Sequence, residues 1–326
     1  MISKVKLDKR RKKIILQAMA AFLFLLLVYK WQLAASRDYL DKGNNEYESG
    51  NYTEALKNYK YAAAIDGTRD IIYTAKVKRG QIFYELGQFD EAEKELKAAL
   101  AEKKDDYLVY KVLADVYFKR RNLANALTYY KQALNFSNGN EEEYLSVRTA
   151  KSFIARGDLE SAREALSGLS GKSEDALYYL GLLEFNGNIS NNDYFQELRK
   201  NKSGKYKKFL DEIDAFSGSY DENEDANYNG ALLADLYNKI GEPDLALVRI
   251  RTVLENKEDY RDAWMISGKA NFIIGDYKKS LGSFSAALAL DSDNSEAYYW
   301  LSSVYKKLGA TSKANEYFDR YKMLSN

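Results

Sequence analysis

Residues 261–294 read RDAWMISGKANFIIGDYKKSLGSFSAALALDSDN, and most of the chain beyond residue 35 repeats the pattern of this unit. Apolar residues recur at helical spacing before and after Gly275, which predicts two amphipathic helices of about 13 residues each with a tight turn between them. Gly268 has no side chain to keep the second helix away, and Gly275 has the conformational freedom that the turn requires. The large side chains predicted to fill the seam are Trp264, Tyr277 and Phe284.

The pattern recurs in both directions at a period of about 34 residues, as repeat architectures do. One period later the matching positions are Tyr298, Leu301, Tyr305, Gly309, Ala314 and Phe318. One period earlier they are Leu233, Ala234, Tyr237, Gly241, Ala246 and Ile250. Each such helix pair buries its apolar face mainly against its neighbours, so one elongated domain can hold a chain of this length.

The unit resembles the tetratricopeptide repeat (TPR) through its large and small residues. These are Trp264, Gly268, Phe272, Gly275, Tyr277, Phe284 and Ala287. The resemblance implies an all-α fold, a solenoid of helical hairpins with about seven to eight repeats. It also implies that proteins or peptides bind along the surface made by the first helix of each pair.

Further repeats precede this region, and one of them is degenerate. Two well-formed units lie at about 36–69 and 73–106, a third has Arg121 where glycine is usual, and a looser fourth spans about 143–171. A good first helix follows at 176–185, but a polar segment beginning NGNISNND stands where its second helix is expected. We therefore expect an inserted segment, with helices near 193–200 and 204–216. The predicted divisions are a first arm at 36–190, a helical insertion at 191–226 and a second arm at 227–326.

The N-terminal region predicts a membrane anchor. Residues 1–13 carry seven Lys and Arg against the single acid Asp8, and residues 14–35 are predominantly apolar. As a helix this segment would be about 33 Å long, enough to cross a bilayer. The excess of basic residues before the segment predicts a cytoplasmic tail at 1–13 and repeats outside the cytoplasmic membrane, in the periplasm or the extracellular space. A cleaved signal peptide ending near Ala35 is the alternative interpretation.

Composition excludes several classes of function. The chain has no His and no Cys, so it can form no Ser-His-Asp triad, thiolate nucleophile or imidazole-based zinc site.

The charge distribution argues against nucleic-acid binding. Residues 1–30 hold 8 of the 49 Lys and Arg but one of the 48 Asp and Glu, which leaves the remainder of the chain mildly acidic. We predict no enzymatic activity, metal, cofactor or small-molecule substrate. The acidic run 221–225 is interpreted as a solvated turn, because Ala226 stands where a calcium loop needs glycine.

Two sets of residues are candidates for partner binding. The first lies on the predicted first helices of the first arm, where aromatic anchors with polar neighbours would suit a peptide or protein. Its members are Tyr47, Gln81, Tyr84, Lys111, Asp115, Phe118 and Lys119.

The second set is a possible basic patch in the insertion. Its members are Arg199, Lys200, Lys202, Lys205, Lys207 and Lys208. Ordinary helix packing is the alternative for the aromatic set, and a solvated helix face balanced by nearby carboxylates is the alternative for the basic one.

These features predict a membrane-anchored scaffold or assembly factor that binds proteins at the outer face of the cytoplasmic membrane, in a cell envelope. Two alternatives remain open at this point. In one, the repeats face the cytosol as an anchored receptor for protein targeting. In the other, the chain is an enzyme that acts on envelope polymers through carboxylates.

Overall fold

The computed structural model describes residues 9–65, 68–137, 139, 141–169, 173–201 and 203–325. Within these ranges the regular structure consists of 17 α-helices and one short 3-10 turn at Ile189–Asn191, without a β-strand. The prediction of an all-α fold of helical hairpins is confirmed. The chain divides into two compact units, residues 1–138 and 139–326, which are described separately below.

Unit 1 is a stack of three antiparallel helix pairs, with each second helix packed on the next first helix. Its helices are α1 (Lys9–Glu48), α2 (Tyr52–Ala64), α3 (Arg69–Glu85), α4 (Phe89–Glu102), α5 (Tyr107–Lys119) and α6 (Leu123–Phe136). In the third pair, Arg121 occupies the turn with a φ of 60°, the left-handed conformation that glycine adopts in the preceding turn at Gly87. The missing glycine therefore leaves the turn intact but places an ordinary side chain in an unfavourable backbone region.

Helix α1 continues from the apolar N-terminal segment into the first helix pair without interruption. Residues 10–48 of this helix include a stretch long and apolar enough to cross a membrane, and the large apolar side chains between Ile14 and Leu27 are exposed. The length and composition of α1 are the properties that make it a candidate membrane span. The predicted boundary between residues 35 and 36 falls inside α1, because the change from apolar to polar residues there does not end the helix.

Unit 2 contains eleven helices in its described part. They are α7 (Glu142–Arg156), α8 (Leu159–Ser167), α9 (Glu174–Glu184), α10 (Asp193–Lys200), α11 (Lys207–Ser219), α12 (Ala226–Lys239), α13 (Pro243–Asn256), α14 (Arg261–Ile273), α15 (Tyr277–Leu290), α16 (Ser295–Lys307) and α17 (Thr311–Ser325). In the pair α14 and α15, a Cβ on Gly268 would lie 2.5 Å from the ring of Phe284, which is fully buried. Gly275 has a φ of 84° in the turn, so both glycines have the roles that the sequence predicted.

The region of the expected insertion differs from the prediction in one respect. Helix α10 takes the place of the second helix that the polar segment was expected to replace, shortened to 8 residues. Phe195 of α10 is fully buried, and a Cβ on Gly181 of α9 would lie 2.4 Å from its ring. Phe195 and Leu198 supply the apolar contacts in an otherwise polar stretch. Together with Leu210 and Ile213 of α11, they belong to a continuous hydrophobic core that extends from Val147 to Ala270.

Candidate functional site

Three aromatic side chains occupy the same position at the ends of the first helices of unit 1. Tyr47, Tyr84 and Phe118 are the penultimate residues of α1, α3 and α5. These helices are neighbours in the stack, α3 lying between the other two. All three rings are partly exposed. The repeat geometry therefore places a series of rings near the carboxyl ends of the three helices.

Tyr47 links the first helix pair to the second. Its hydroxyl donates a hydrogen bond of 2.8 Å to Oε1 of Glu85, and the Nζ of Lys78 lies 5.3 Å from the centre of its ring. Burial, together with the neighbouring Glu85 carboxylate, raises the pKa of Tyr47 to about 12. The hydroxyl thus remains a donor at physiological pH, and packing between repeats explains much of the role of this ring.

Tyr84 and Phe118 have polar neighbours that are accessible to solvent. The ring of Tyr84 lies 6.2 Å from that of Phe89 on the second helix of its own pair, and it remains partly exposed. Gln81 and Lys111 are partly exposed, while Lys119 is exposed directly after Phe118. We call Tyr47, Gln81, Tyr84, Lys111, Phe118 and Lys119 the first-helix face.

Asp115 lies inside its helix pair, although the sequence pattern grouped it with the partner-binding residues. It is 5% exposed, and its carboxylate accepts a hydrogen bond from the hydroxyl of Tyr130 on α6. Asn44 has the equivalent position in the first pair and accepts a hydrogen bond of 2.8 Å from Tyr59 on α2. A polar residue at this position therefore satisfies a buried tyrosine of the same pair, and Asp115 does not offer its carboxylate to the surface.

Three of the five described residues of the predicted basic patch in unit 2 form ion pairs with nearby carboxylates. Its ion pairs are Arg199 with Asp214, Lys200 with Glu197, and Lys205 with Asp175. Lys207 and Lys208 are exposed, and Lys202 lies outside the described residues. A cleft of about 440 Å³ beside these residues is lined by both charge types. The arrangement favours a solvated helix face over an anion-binding surface.

A polar cluster that sequence reasoning missed lies in unit 2. The hydroxyl of Tyr179 donates a hydrogen bond of 2.8 Å to Oε1 of Glu242, and the Nζ of Lys151 lies 2.5 Å from that hydroxyl and 3.5 Å from Oε2 of Glu242. The side chain of Glu242 is 14% exposed, and desolvation raises the pKa of its carboxyl despite the neighbouring Lys151. The cluster joins α7, α9 and the start of α13. Its members are far apart in sequence, and no spacing pattern connects them.

The acidic run 221–225 is an exposed turn, as the sequence predicts, and its last residue, Asp225, caps α12. The carboxylate of Asp225 accepts hydrogen bonds of 3.0 Å from the backbone N–H groups of Asn227 and Tyr228, at the start of α12. Asp221 accepts hydrogen bonds from Asn223 within the same turn. In the described part of the chain, carboxylates do not gather in a group of three that could hold a metal ion.

Comparison with protein-family models finds matches in both units. A model described as tetratricopeptide repeat matches residues 77–141, and another of the same description matches residues 295–325. A model described as TPR repeat matches residues 268–309.

Known proteins similar to this chain also contain these repeats. A TPR repeat-containing protein of Methanocaldococcus jannaschii is 24% identical over 280 residues, covering 84% of this chain and 47% of that protein. The chain thus spans about half the length of this relative. A crystal structure of a tetratricopeptide repeat protein from Parabacteroides merdae aligns with a TM-score of 0.47 and 16% identity, covering 83% of this chain and 99% of that one. The structure of YrrB, described as a TPR protein with an unusual peptide-binding site, aligns with a TM-score of 0.30 and 16% identity, covering 70% of this chain and 91% of that one.

Proposed function

We propose that the chain, which contains segments that match models of the tetratricopeptide repeat, binds partner proteins as a membrane-anchored scaffold or assembly factor at the outer face of the cytoplasmic membrane. The partner is a protein or an extended peptide that contacts the first-helix face of unit 1. The proposal assigns the chain no catalytic role: it has no His or Cys, and among its surface acids Asp225 caps a helix and Asp214 forms an ion pair.

The binding proposal rests on the arrangement of aromatic and polar side chains on the first-helix face. Interfaces draw much of their affinity from a few aromatic anchors surrounded by polar groups that fix orientation. Tyr84 and Phe118 provide two partly exposed rings on adjacent helices, and Lys119, the residue after Phe118, provides an exposed cation. This combination suits a peptide that offers apolar side chains together with acidic or carbonyl oxygens.

The proposed anchor rests on the composition of α1. The segment at residues 14–35 is apolar, and the large apolar side chains between Ile14 and Leu27 are exposed, an arrangement that is costly in water and favourable in lipid. The basic residues before the segment favour retention of that end in the cytoplasm. The helix pairs then follow on the opposite side of the membrane.

A labelling experiment tests the topology. The chain has no native Cys, so Ser325→Cys provides a unique exposed thiol at the end of α17. We expect a membrane-impermeant maleimide to label it in intact cells once any outer membrane has been opened. Lys12→Cys, in the basic tail, is the matched control and should react only after the inner membrane is broken. The reverse order of labelling would contradict the outer location and favour a cytosol-facing receptor for protein targeting.

Crosslinking tests the position of the partner. A benzophenone attached to Lys119→Cys, on the first-helix face, should capture the partner upon illumination of native membranes. The control is the same reagent on Lys94→Cys, an exposed lysine of α4 that lies on the second helix of its pair. Capture from position 94 with none from position 119 would place the partner on the other side of unit 1.

A further inference from the structure

The first helix pair is attached to the proposed membrane segment directly, without a linker. The hydroxyl of Ser36, which is fully buried, donates a hydrogen bond of 2.8 Å to the carbonyl oxygen of Ala62 near the end of α2. Leu33, inside the segment predicted to span the bilayer, packs against the core formed by Ala55, Tyr59 and Ala62. The packing of the repeat therefore begins before the apolar segment ends.

Helix geometry places this contact in the headgroup layer. A hydrocarbon core of about 30 Å takes about 20 residues of helix, so a core entered near Ile14 is left near Leu33. Ser36 then lies only about 4.5 Å further along the helix axis. The headgroup region on each side is about 5 to 7.5 Å thick. The end of α2, hydrogen-bonded to Ser36, therefore meets this layer.

The residues at this end have the chemistry of a membrane interface. Trp31 and Tyr61 are exposed by 70% and 44%, and the ring of Tyr61 lies 5.3 Å from that of Tyr39. Lys60 is exposed next to Tyr61. Tyrosine and tryptophan favour the boundary between hydrocarbon and water, and a lysine can hold its stem there while its ammonium contacts phosphate.

We propose that the end of α2, with Lys60, Tyr61 and Ala64, rests on the phospholipid headgroups of the membrane that α1 crosses. This inference rests on the proposed anchor. The uninterrupted α1 holds the first helix pair against the bilayer, and it fixes the orientation of the first-helix face relative to the membrane surface. A partner then binds at a fixed distance from the lipid surface. A flexible tether would leave that distance variable.

Fluorescence quenching tests the contact with matched small-residue substitutions in the full chain. Ala64→Cys places a fluorophore at the exposed last residue of α2, and Ser49→Cys places it at the opposite end of the same pair, about 20 Å along the axis. Ala20→Cys places it within the apolar segment. Each labelled protein is reconstituted in vesicles of phosphatidylethanolamine and phosphatidylglycerol that contain nitroxide-bearing lipids.

The expected result is strong quenching at position 20 by acyl-chain nitroxides, and several-fold stronger quenching at position 64 than at position 49 by headgroup nitroxides. Equal headgroup quenching at positions 64 and 49, with position 20 still quenched, overturns the contact and leaves the anchor in place. Loss of acyl-chain quenching at position 20 overturns the anchor and the contact together.

A flexible insertion tests the role of α1. A Gly-Ser segment inserted between Lys30 and Trp31 leaves Leu33 and Ser36 packed against α2 but separates them from residues 14–30 of the apolar segment. Headgroup quenching at position 64 should then fall to the level at position 49, while position 20 is unaffected. Persistent quenching at position 64 would show that the uninterrupted helix does not hold the pair against the bilayer.

Discussion

Two helix pairs, α5 with α6 in unit 1 and α7 with α8 in unit 2, place opposite charges at the same position. Asp115 and Lys151 each follow a buried alanine of the first helix. Asp115 binds Tyr130 on the second helix of its own pair. The position that corresponds to Tyr130 in the other pair is Leu166, which is buried and has no polar group. Lys151 instead contacts Tyr179 and Glu242, which belong to later helices.

This difference shows how similar repeats can have different cooperativity. Repeats that satisfy their polar groups internally depend on their neighbours mainly through apolar packing. In unit 2 the polar groups of α7, α9 and α13 depend on one another, and the apolar core extends across the same helices. We therefore expect substitutions in this cluster to affect several helices together, and substitutions at Asp115 to remain local.

The largest effect is expected for Lys151→Met, which removes the cation beside the buried Glu242. At neutral pH the variant should lose up to about 3 kcal/mol of the free energy of unfolding, because a desolvated carboxylate is left without its charged partner. Lys151 is partly exposed, which limits the loss. Denaturant unfolding followed by circular dichroism measures it.

The cost of Lys151→Met should grow with pH. Burial raises the folded-state pKa of Glu242 above its ordinary value of 4.5, so deprotonation favours the unfolded chain as pH rises from that value through the folded-state pKa. Below the unfolded-state pKa the carboxyl is neutral in both states, and the lost cation matters little. Glu242→Gln, which cannot ionise, is the control and should lack this pH-dependent loss. A cost that is the same at pH 4 and pH 7 would contradict the proposed electrostatic role.

A smaller effect is expected at Asp115. Asp115→Ala leaves the buried hydroxyl of Tyr130 without its acceptor and should cost about 1 to 2 kcal/mol of the free energy of unfolding. Asp115→Asn retains an acceptor, as Asn44 does in the first pair, and should cost much less. Equal losses in the two variants would show that the negative charge matters more than the hydrogen bond.

The smallest expected effect is a gain in stability at the turn between α5 and α6. Arg121→Gly should stabilise the protein by about 0.5 to 1 kcal/mol, since relief of the left-handed strain exceeds the entropy that glycine loses on folding. Gly87→Ala, at a φ of 72° in the preceding turn, should have the opposite sign. A shift in thermal midpoint measures both variants. A loss of stability in Arg121→Gly would mean that the arginine side chain contributes more than the strain costs.

The features that could be predicted from sequence are those encoded by local spacing. Gly268, Phe284 and Gly275 recur at a fixed period, so the helix pair and its turn follow from the pattern alone. The sequence also predicts the helix at 193–200, but it does not indicate that this helix is the second of its pair. That role depends on the contact between Phe195 and Gly181. Because the residues around Phe195 are mostly polar and the helix is short, the repeat pattern is hard to recognise in the sequence.

The features that could not be predicted depend on partners distant in sequence. Glu242 lies directly before α13 in the sequence, and its contacts with Lys151 and Tyr179 join residues 91 and 63 positions apart. Asp115 and Tyr130, by contrast, are 15 residues apart within one pair, the same spacing as Asn44 and Tyr59. The apolar segment and the first repeat are distinct in composition, yet they form one helix. Periodicity identifies which residues share a helix face, but it does not identify which distant groups meet or how a helix crosses a change in polarity.

Paired alanine substitutions test whether the first-helix face of unit 1 binds the partner. Tyr84→Ala combined with Phe118→Ala should weaken capture of the crosslinked partner by more than about 1 kcal/mol for each ring. The matched control is Tyr129→Ala combined with Phe136→Ala, a tyrosine and a phenylalanine of α6 outside the face. Melting curves of both double variants, measured beside binding, separate lost packing from lost contact. We expect capture to fall for the first pair and to persist for the control at comparable stability. Unchanged capture by a folded Tyr84→Ala/Phe118→Ala variant would contradict the claim.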